Sequence, residues 1–332
     1  MARPHKGKLT TISTAKMTRA EWLEERRKAI GGSDAAAIVG LNSYATPYTV
    51  WADKTGRLPE KPDSEAMRQG RDLEQYVVDR FTEKTGIKAR KLNAIIKNSK
   101  YPFAAANIDR AIVGESAGLE CKTTSVMNVK KFKGGEFPET YYCQCVHYLA
   151  ITEYKRWYLA VLILNQGFYV YQLTRIEDDI TPEWCDSSVY ISDDEIAALM
   201  GAEREFWECV ANDTPPPLSG LEPDSAALET IYHGGDDNAI TLFGRDKLIA
   251  RYFELKDDIS ELEKQRDMIK QTLQADLGDS ERGETEGFTI TWKSQSRSTF
   301  DAKAFAKDNP DVDLSGYYKT SNFRKFDIKP LT

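Results

Sequence analysis

The sequence has few of the residues that many catalytic and metal sites require. Only three histidines occur in its 332 residues, which argues against a zinc site of histidines and against a serine–histidine triad. The five cysteines are odd in number and form no CxxC pair, so we interpret them as reduced thiols of a cytosolic protein. No apolar run reaches the roughly 18 residues of a transmembrane helix, and we expect no membrane span.

The negative net charge argues against one class of nucleic-acid-binding protein but does not exclude a nuclease. A net charge of −7 has the wrong sign for a protein that coats nucleic acid nonspecifically. A nuclease remains compatible with it, because metal ions neutralise site carboxylates and local basic stretches hold phosphates. Two basic stretches stand out, KARKLNAIIKNSK at 88–100 and KKFK at 130–133. A solvated charged face is the alternative interpretation of each stretch.

Periodicity and capping signals predict helices and strands that build an α/β protein. Thr18 and Glu21 have the spacing of a capping box, and Ser33 or Asp34 is expected to cap the helix that follows two glycines. The predicted helices span 18–28, 34–38, 46–56, 66–85, 138–152 and 193–212. The predicted strands span 92–97, 103–106, 108–113, 117–123, 157–165 and 167–173. This order of elements favours a mixed central sheet flanked by helices.

A proline-rich run, TPPPL at 214–218, is the clearest linker and divides the chain into domains 1–218 and 219–332. In the second domain, residues 246–277 are predicted to form a long helix whose apolar residues alternate in spacings of three and four. Such a seam usually packs on another helix or subunit. Alternation at 288–292 predicts a strand, so this part is a helix-and-hairpin module that binds a partner, contacts a subunit or covers a sheet edge.

A carboxylate and an ammonium share one face of a predicted strand. Glu120 and Lys122 lie two residues apart in GLECKTT, with Asp109 a short hairpin away. Two neighbouring carboxylates form an oxygen-rich site for a hard cation such as Mg²⁺, to which the backbone carbonyl of Cys121 would add a ligand. A lysine beside them can orient or deprotonate water for phosphodiester hydrolysis. A cross-strand salt bridge on an exposed sheet face is the alternative.

Five stretches occur in the same order and at similar separations as in a known family of nucleases. They are WLEERRKAIGGSDAAAIVGLNSYATPYTVWADKTG (22–56), GRDLEQYVVDRFTEKTG (70–86), ANIDR (106–110), GLECKTT (118–124) and YYCQCVHYLAIT (141–152). Over about residues 20–210 the chain thus resembles the YqaJ-like viral recombinases, a branch of the PD-(D/E)XK nucleases that includes bacteriophage lambda exonuclease. Ile108 departs from the family's usual proline before the first acid. The resemblance implies a restriction-endonuclease-like core.

The resemblance implies a metal and a catalytic role for the residues already singled out. Asp109 and Glu120 would ligate metal together with the carbonyl of Cys121, and Lys122 would serve the attacking water. Two Mg²⁺ ions are expected, with Mn²⁺ as a substitute.

Two further residues match catalytic positions of the family. Glu74 corresponds to an additional acid near the second metal, although helix surface charge is an equal interpretation. Gln144 corresponds to a glutamine at the active-site end of the next helix, where it would reach a phosphate or the lysine.

The resemblance also implies contacts with DNA. Arg26 and Ser33 match a pocket for a 5′-phosphate, which suits a guanidinium fork and a hydroxyl near a helix start. Arg27 is an equally simple choice from the sequence alone, and Ser33 could be only a cap. Tyr44 and Trp51 are candidates for lining the DNA channel, with core packing as the alternative for both.

The expected function is therefore Mg²⁺-dependent 5′-to-3′ digestion of one strand of linear double-stranded DNA. Mononucleotides would be released and a 3′ single-stranded tail left for annealing recombination. The family implies a homo-oligomer, often a trimer, that acts on DNA ends with a phage single-strand annealing protein. It also implies a phage or prophage origin and a bacterial cytoplasm. An endonuclease of the same superfamily and a catalytically inactive DNA-binding module are the alternatives.

Overall fold

The computed structural model describes residues 7–60, 62–235, 238–319 and 324–330. The chain forms two compact units, Met1–His233 and Gly234–Thr332. Within the described ranges, every helix is too short or too polar to span a bilayer.

The helices of the first unit begin and end close to the positions that their sequence signals indicate. They are α1 Arg19–Arg27, α2 Gly32–Ile38, α3 Pro47–Lys54, α4 Glu65–Thr85, α5 Glu139–Thr152, α6 Asp193–Ala211 and α7 Glu222–Ile231. Thr18 forms the predicted capping box of α1. The N-cap of α2 is Gly31 rather than the predicted Ser33 or Asp34, because the Asp34 carboxylate accepts the Gly31 N–H at 3.0 Å from inside the first turn.

Two sheets share the first unit. A three-stranded antiparallel sheet has the order β1 (Leu9–Ser13), β3 (Ala94–Asn98) and β4 (Ala105–Asn107). The six-stranded sheet has the order β2 (Ala89–Lys91), β5 (Arg110–Ile112), β6 (Ala117–Thr124), β7 (Arg156–Ile163), β8 (Gly167–Thr174) and β9 (Ser187–Tyr190). Its β6–β7 and β8–β9 pairs are parallel and its other pairs antiparallel, which confirms the predicted mixed sheet.

Helices α5 and α4 cover opposite faces of the six-stranded sheet. Along β7, Trp157 and Leu159 pack into the core beneath α5, while Tyr158 and Ala160 pack with Phe81 of α4. Ten of the fourteen α5 residues are buried. A strand in this sheet therefore places alternate side chains under α5 and under α4.

The first unit extends past the predicted boundary at residue 218 because α7 packs onto it. Ala227 of α7 is buried in the main core. The buried Asp224 accepts hydrogen bonds from the hydroxyl of Thr46, at the start of α3, and from Ser219. The proline run at 214–218 is thus a connection within the unit rather than between the two.

The second unit holds the long helix and the hairpin that the sequence predicts. Its elements are α8 Asp246–Leu277, β10 Arg282–Glu284, β11 Thr289–Thr291 and α9 Ala302–Asp308. The predicted and observed limits of α8 coincide. Strand β11 pairs antiparallel with β10, with Gly283 opposite Ile290.

Close packing at Gly118 leads to a stability prediction. A Cβ at this position of β6 would lie 2.4 Å from the ring of the fully buried Trp157, its partner on β7. Gly118→Ala should therefore lower the free energy of unfolding by about 1–3 kcal/mol through overpacking. Urea unfolding followed by tryptophan fluorescence measures the change.

Gly70 of α4 provides the matched control, since a Cβ there meets nothing within 4 Å. Gly70→Ala should raise the unfolding free energy by up to about 1 kcal/mol, because alanine favours the helix. Equal effects of the two substitutions would contradict the packing argument.

Candidate active site

The structure brings the three residues of the predicted metal site together beside β6 of the six-stranded sheet. Glu120 and Lys122 project from the α5 face of β6, where Lys122 Nζ lies 2.6 Å from Glu120 Oε1. Asp109 directly precedes β5, and its Oδ2 accepts the backbone N–H of Cys121 at 2.9 Å. The Cys121 side chain turns to the opposite face and packs in the core beneath α4. Two carboxylates and one ammonium are therefore adjacent.

Gln144 of α5 connects the acid to the lysine. Its Nε2 donates to Glu120 Oε1 at 2.8 Å, and its Oε1 accepts from Lys122 Nζ at 2.8 Å. The same Nε2 lies 3.0 Å from Tyr148 Oη, one helical turn along α5. Sequence reasoning missed Tyr148, although its spacing of four from Gln144 was the available signal. The amide thus fixes the positions of both charged groups.

Glu74 of α4 lies at the edge of this cluster and is held by Arg110. The guanidinium of Arg110 forms an ion pair with Glu74 and donates from Nη1 to the Asp109 carbonyl oxygen at 2.9 Å. Its Nη2 donates to Gln75 Oε1 at 3.2 Å. Arg110 was not identified from the sequence, because no local pattern distinguishes it from the other arginines. It joins the predicted additional acid to the backbone of Asp109.

The electrostatics of the cluster favour a bound cation. Burial, and then the nearby Glu120 charge, raise the pKa of Asp109 to about 8. Burial lowers the pKa of Lys122, but the Glu120 and Asp109 carboxylates outweigh burial and raise it. Among the described residues, Glu120 Oε2 is buried without a hydrogen-bond partner. An unpartnered oxygen beside a destabilised carboxylate fits a hard cation that accepts oxygen ligands.

The protein side chains alone would not fill the coordination shell of such a cation. No group of three or more histidine, cysteine, aspartate or glutamate side chains is arranged to hold a metal in the described parts of the chain. Asp109 and Glu120 supply two oxygen ligands, and the Cys121 carbonyl is adjacent. This donor set suits Mg²⁺, which keeps several of its own waters, better than a metal that requires a complete protein cage.

The residues predicted to bind phosphate form a second polar group at the start of α2. Arg26 Nη2 donates to Ser33 Oγ at 2.8 Å and lies 3.5 Å from Asp34 Oδ1. The fully buried side chain of Lys54 contacts Asp34 Oδ2 at 2.7 Å and donates to the Arg26 carbonyl at 3.1 Å. Burial alone would raise the pKa of Asp34, but the charges of Lys54 and Arg26 hold it at about 2. Lys54, which sequence reasoning missed, therefore anchors this group.

One cavity connects the two groups. It has a volume of about 200 Å³, and its wall includes Arg26, Ser33, Asp109 and Gln144. The Arg26 side chain is 38% exposed and lies over the ring of Trp22. An anion in this cavity would have access both to the guanidinium and to the carboxylate cluster.

A larger cleft of about 1040 Å³ adjoins this region and also includes Ser33 and Gln144 in its wall. Tyr44 lines it and is 84% exposed, while Lys131 supplies a positive charge from the basic stretch 130–133. Trp51 is only 4% exposed and packs against Tyr48 in the core, so its predicted place in a DNA channel is wrong. From the sequence alone, an aromatic residue in this short helix could have faced either the DNA channel or the core.

Comparisons with known proteins assign the family. A profile of the YqaJ-like viral recombinase domain matches residues 21–155. The "Uncharacterized protein YqaJ" of Bacillus subtilis (strain 168) is 36% identical over 325 residues, which cover 96% of each chain. The chain belongs to the YqaJ-like viral recombinase family. The predicted resemblance is confirmed, and the likeness to the Bacillus protein extends over the C-terminal unit as well.

The comparison with solved structures matches two exonucleases, among others. An alkaline exonuclease, LHK-Exo from Laribacter hongkongensis, has a TM-score of 0.46 at 17% identity, covering 63% of this chain and 99% of that one. A phage related exonuclease from Haemophilus somnus 129PT has a TM-score of 0.38 at 12% identity, covering 58% and 99%.

The segment that matches the family profile contains every side chain of the two polar groups. Arg26 lies near its start and Gln144 near its end, within the matched range 21–155. The long helix of the second unit lies outside this range.

The buried pair of Lys54 and Asp34 leads to a prediction about stability. Lys54→Met removes the ammonium and leaves Asp34 with the Gly31 N–H and the more distant Arg26. It should therefore lower the unfolding free energy by about 3 kcal/mol. Urea unfolding at pH 7 measures the loss. Lys28→Met is the control, because Lys28 is 54% exposed and pairs with Glu25 at the surface. That change should cost less than about 0.5 kcal/mol; similar losses in both variants would contradict the buried-pair argument.

Proposed function

We propose that this protein is a metal-dependent exonuclease that digests one strand of linear double-stranded DNA from its 5′ end. It would release mononucleotides and leave 3′ single-stranded tails. The observation that carries the proposal is the single cavity whose wall contains both Arg26 with Ser33 and Asp109 with Gln144. An anion-binding group beside a two-carboxylate cluster suits a substrate with a terminal phosphate and a nearby phosphodiester.

The residues of the chain would divide the chemistry among them. Asp109, Glu120 and the carbonyl of Cys121 would hold a divalent cation, which supplies a Lewis acid and makes water more acidic when bound. Lys122 keeps its proton beside two carboxylates, so its ammonium would orient the attacking water or stabilise negative charge on the phosphate. Gln144 would keep Lys122 Nζ in place through its side-chain oxygen.

A second cation is less well supported by the described contacts. Glu74, the acid that the resemblance implies for it, is paired with Arg110. Occupation of a second position would therefore require Glu74 to exchange this partner for the metal. We propose one resident ion at Asp109 and Glu120, with a second joining when the substrate brings further phosphate oxygens.

Cleavage from a 5′ end would depend on Arg26 and Ser33. A guanidinium binds two phosphate oxygens at once, and Ser33 adds a hydroxyl in the first turn of α2, where backbone N–H groups favour anions. The Lys54–Asp34 pair would hold Arg26 by its backbone carbonyl. Tyr44 and Lys131 in the adjoining cleft would contact the DNA by stacking and by charge.

The family resemblance extends the proposal to assembly. A ring of three subunits around DNA and a phage single-strand annealing protein that receives the 3′ tail are the partners it suggests. Cytoplasmic action in a bacterial host belongs to the same proposal.

Binding of the cation can be tested by thermal unfolding. Mg²⁺ should raise the melting temperature of the wild type by several degrees at concentrations about 100-fold above the dissociation constant, because it binds only the folded site. Asp109→Ala should remove most of this rise. Thermal unfolding followed by circular dichroism measures it without reference to activity.

Asp79→Ala is the control for charge removal, since Asp79 is an exposed residue of α4 that accepts a hydrogen bond from Gln75. The control should keep the full response to Mg²⁺. An equal response in both variants would show that Asp109 holds no cation.

Recognition of the 5′ end can be tested with two kinds of linear duplex. Wild-type protein should digest a linear duplex with 5′-phosphate ends faster than one with 5′-hydroxyl ends, and Arg26→Ala should reduce this preference by about tenfold or more through loss of a charged hydrogen-bonded pair. Initial rates of nucleotide release provide the measurement. Arg27→Ala is the matched control and should leave the preference intact, because Arg27 faces Asp53 at 3.9 Å.

A covalently closed circle should remain uncut in the same assay, whereas an endonuclease would cut it. Equal rates on the two kinds of end would contradict the pocket assignment while leaving the cation prediction standing. Hydrolysis that persists in Asp109→Ala would contradict the nuclease site.

A further inference from the structure

The long helix α8 carries an exposed apolar stripe with a heptad repeat. Its side chains lie at the two core positions of a coiled coil, conventionally named a and d. The d positions are Leu248, Leu255, Leu262 and Ile269, and the a positions are Tyr252, Ile259, Arg266 and Leu273. Their apolar members are between 37% and 63% exposed, although a stripe of this kind normally packs against another helix.

Within the second unit, the hairpin lies against the C-terminal end of the stripe. Leu273 and Leu277 of α8 share a hollow of about 310 Å³ with Ile290 and Trp292. Ile269 also borders this hollow. From Leu255 to Ile269, however, each apolar a and d residue is still at least 44% exposed. This open stretch is about two heptads long, enough to form a specific contact with another helix.

We propose that α8 pairs with α8 of a second copy of this chain, as an antiparallel two-stranded coiled coil. The charges that flank the stripe indicate both the partner helix, which is α8 of a second copy, and its antiparallel orientation. Positions e and g of the heptad face the partner helix from either side of the core and decide which pairings are tolerated.

A parallel pair is disfavoured by like-charge contacts at three positions along the helix. In that arrangement Arg251 would face Lys256 of the second copy, and Asp258 would face Glu263 of the second copy, each twice by symmetry. Arg266, at a core position, would meet Arg266 of the second copy. The same like-charge contacts would occur around a parallel three-stranded coil. Both parallel assemblies therefore place charges of one sign together.

One antiparallel register removes all of these conflicts. In this register, Ile259 packs opposite Leu262 of the second copy. Lys256 then lies opposite Glu263 of the second copy. The two-fold axis generates the same pair again, with Glu263 opposite Lys256 of the second copy. Arg266 then faces Leu255 of the second copy instead of another arginine. Its side chain is long enough to bury its carbon stem and leave the guanidinium at the rim.

The neighbouring antiparallel registers restore like-charge pairs. A shift by one heptad in one direction brings Lys256 opposite Lys270 and Glu263 opposite Glu263. The opposite shift brings Lys256 opposite Lys256 and Asp258 opposite Asp258. The charge pattern thus selects a single antiparallel register, which is also the one that aligns the stripe from end to end.

Such a contact is isologous, since each copy presents the same surface to the other. It would pair two subunits and is independent of any ring that the nuclease unit forms around DNA. If rings of three also form, α8 would join subunits of different rings.

Charge reversal in the full-length protein tests the proposal. Lys256→Glu would place two pairs of like charges across the antiparallel interface and should weaken association about tenfold. The double variant Lys256→Glu with Glu263→Lys should restore it, because the two signs are exchanged together. Multi-angle light scattering over a range of protein concentrations measures the mass, and circular dichroism verifies that helix content is unchanged.

Lys264→Glu is the matched control, since Lys264 lies on the outer face of α8, where it neighbours Glu261 at 3.7 Å. It makes the same charge change and should not alter association. Leu262→Glu, in the centre of the stripe, should abolish the α8 contact. Three results would overturn the proposal: a wild type that does not associate, association unaffected by Lys256→Glu and Leu262→Glu, or stronger association in Lys256→Glu, the result expected of a parallel pair.

Discussion

Two carboxylates, those of Asp109 and Glu120, lie together where water cannot fully solvate them, and much of the first unit serves to hold them there. Burial and mutual repulsion raise the pKa of Asp109 to about 8, and Lys122 supplies the compensating ammonium next to Glu120. Such an arrangement is costly unless a further positive charge is present. The divalent cation that we propose would offset this cost, and its charge would act in surroundings of low dielectric, where electrostatic stabilisation of a transition state is strongest.

The geometry follows from simple features of the sheet and its helices. Alternation along β6 turns Glu120 and Lys122 toward α5 and leaves Cys121 in the apolar layer beneath α4. Parallel pairing of β6 with β7 buries the strand, and α5 brings the amide of Gln144 between the two charges. The amide has both a donor and an acceptor, so it can bond to the acid and the lysine at once.

The sequence predicts features that depend on short-range patterns. The limits of α4 and α8 and the capping box at Thr18 were predictable, and so was the shared face of Glu120 and Lys122. Lys54 and Arg110 were not, because their partners Asp34 and Glu74 are distant in sequence and only the fold brings them together. The short strands β1 and β9 contain too few alternating residues to be recognised. The prediction for Trp51 failed for a related reason. An aromatic side chain suits a channel or a core equally well, and only the packing of the folded chain determines which of the two it occupies.

Charge acts in two different ways in this protein. In the first unit, a few ionic groups are buried, and each needs a particular partner because desolvation makes an unpaired charge expensive. Along α8 the charges are exposed, and each pair contributes only a few tenths of a kcal/mol. Each of these surface charges has a small effect alone, but their order along the helix penalises the in-register parallel pair and the two neighbouring antiparallel registers. Specificity on α8 would therefore arise from the summed cost of the wrong registers. At Asp109 and Glu120, the proposed selectivity for a cation would arise instead from a few buried carboxylate oxygens.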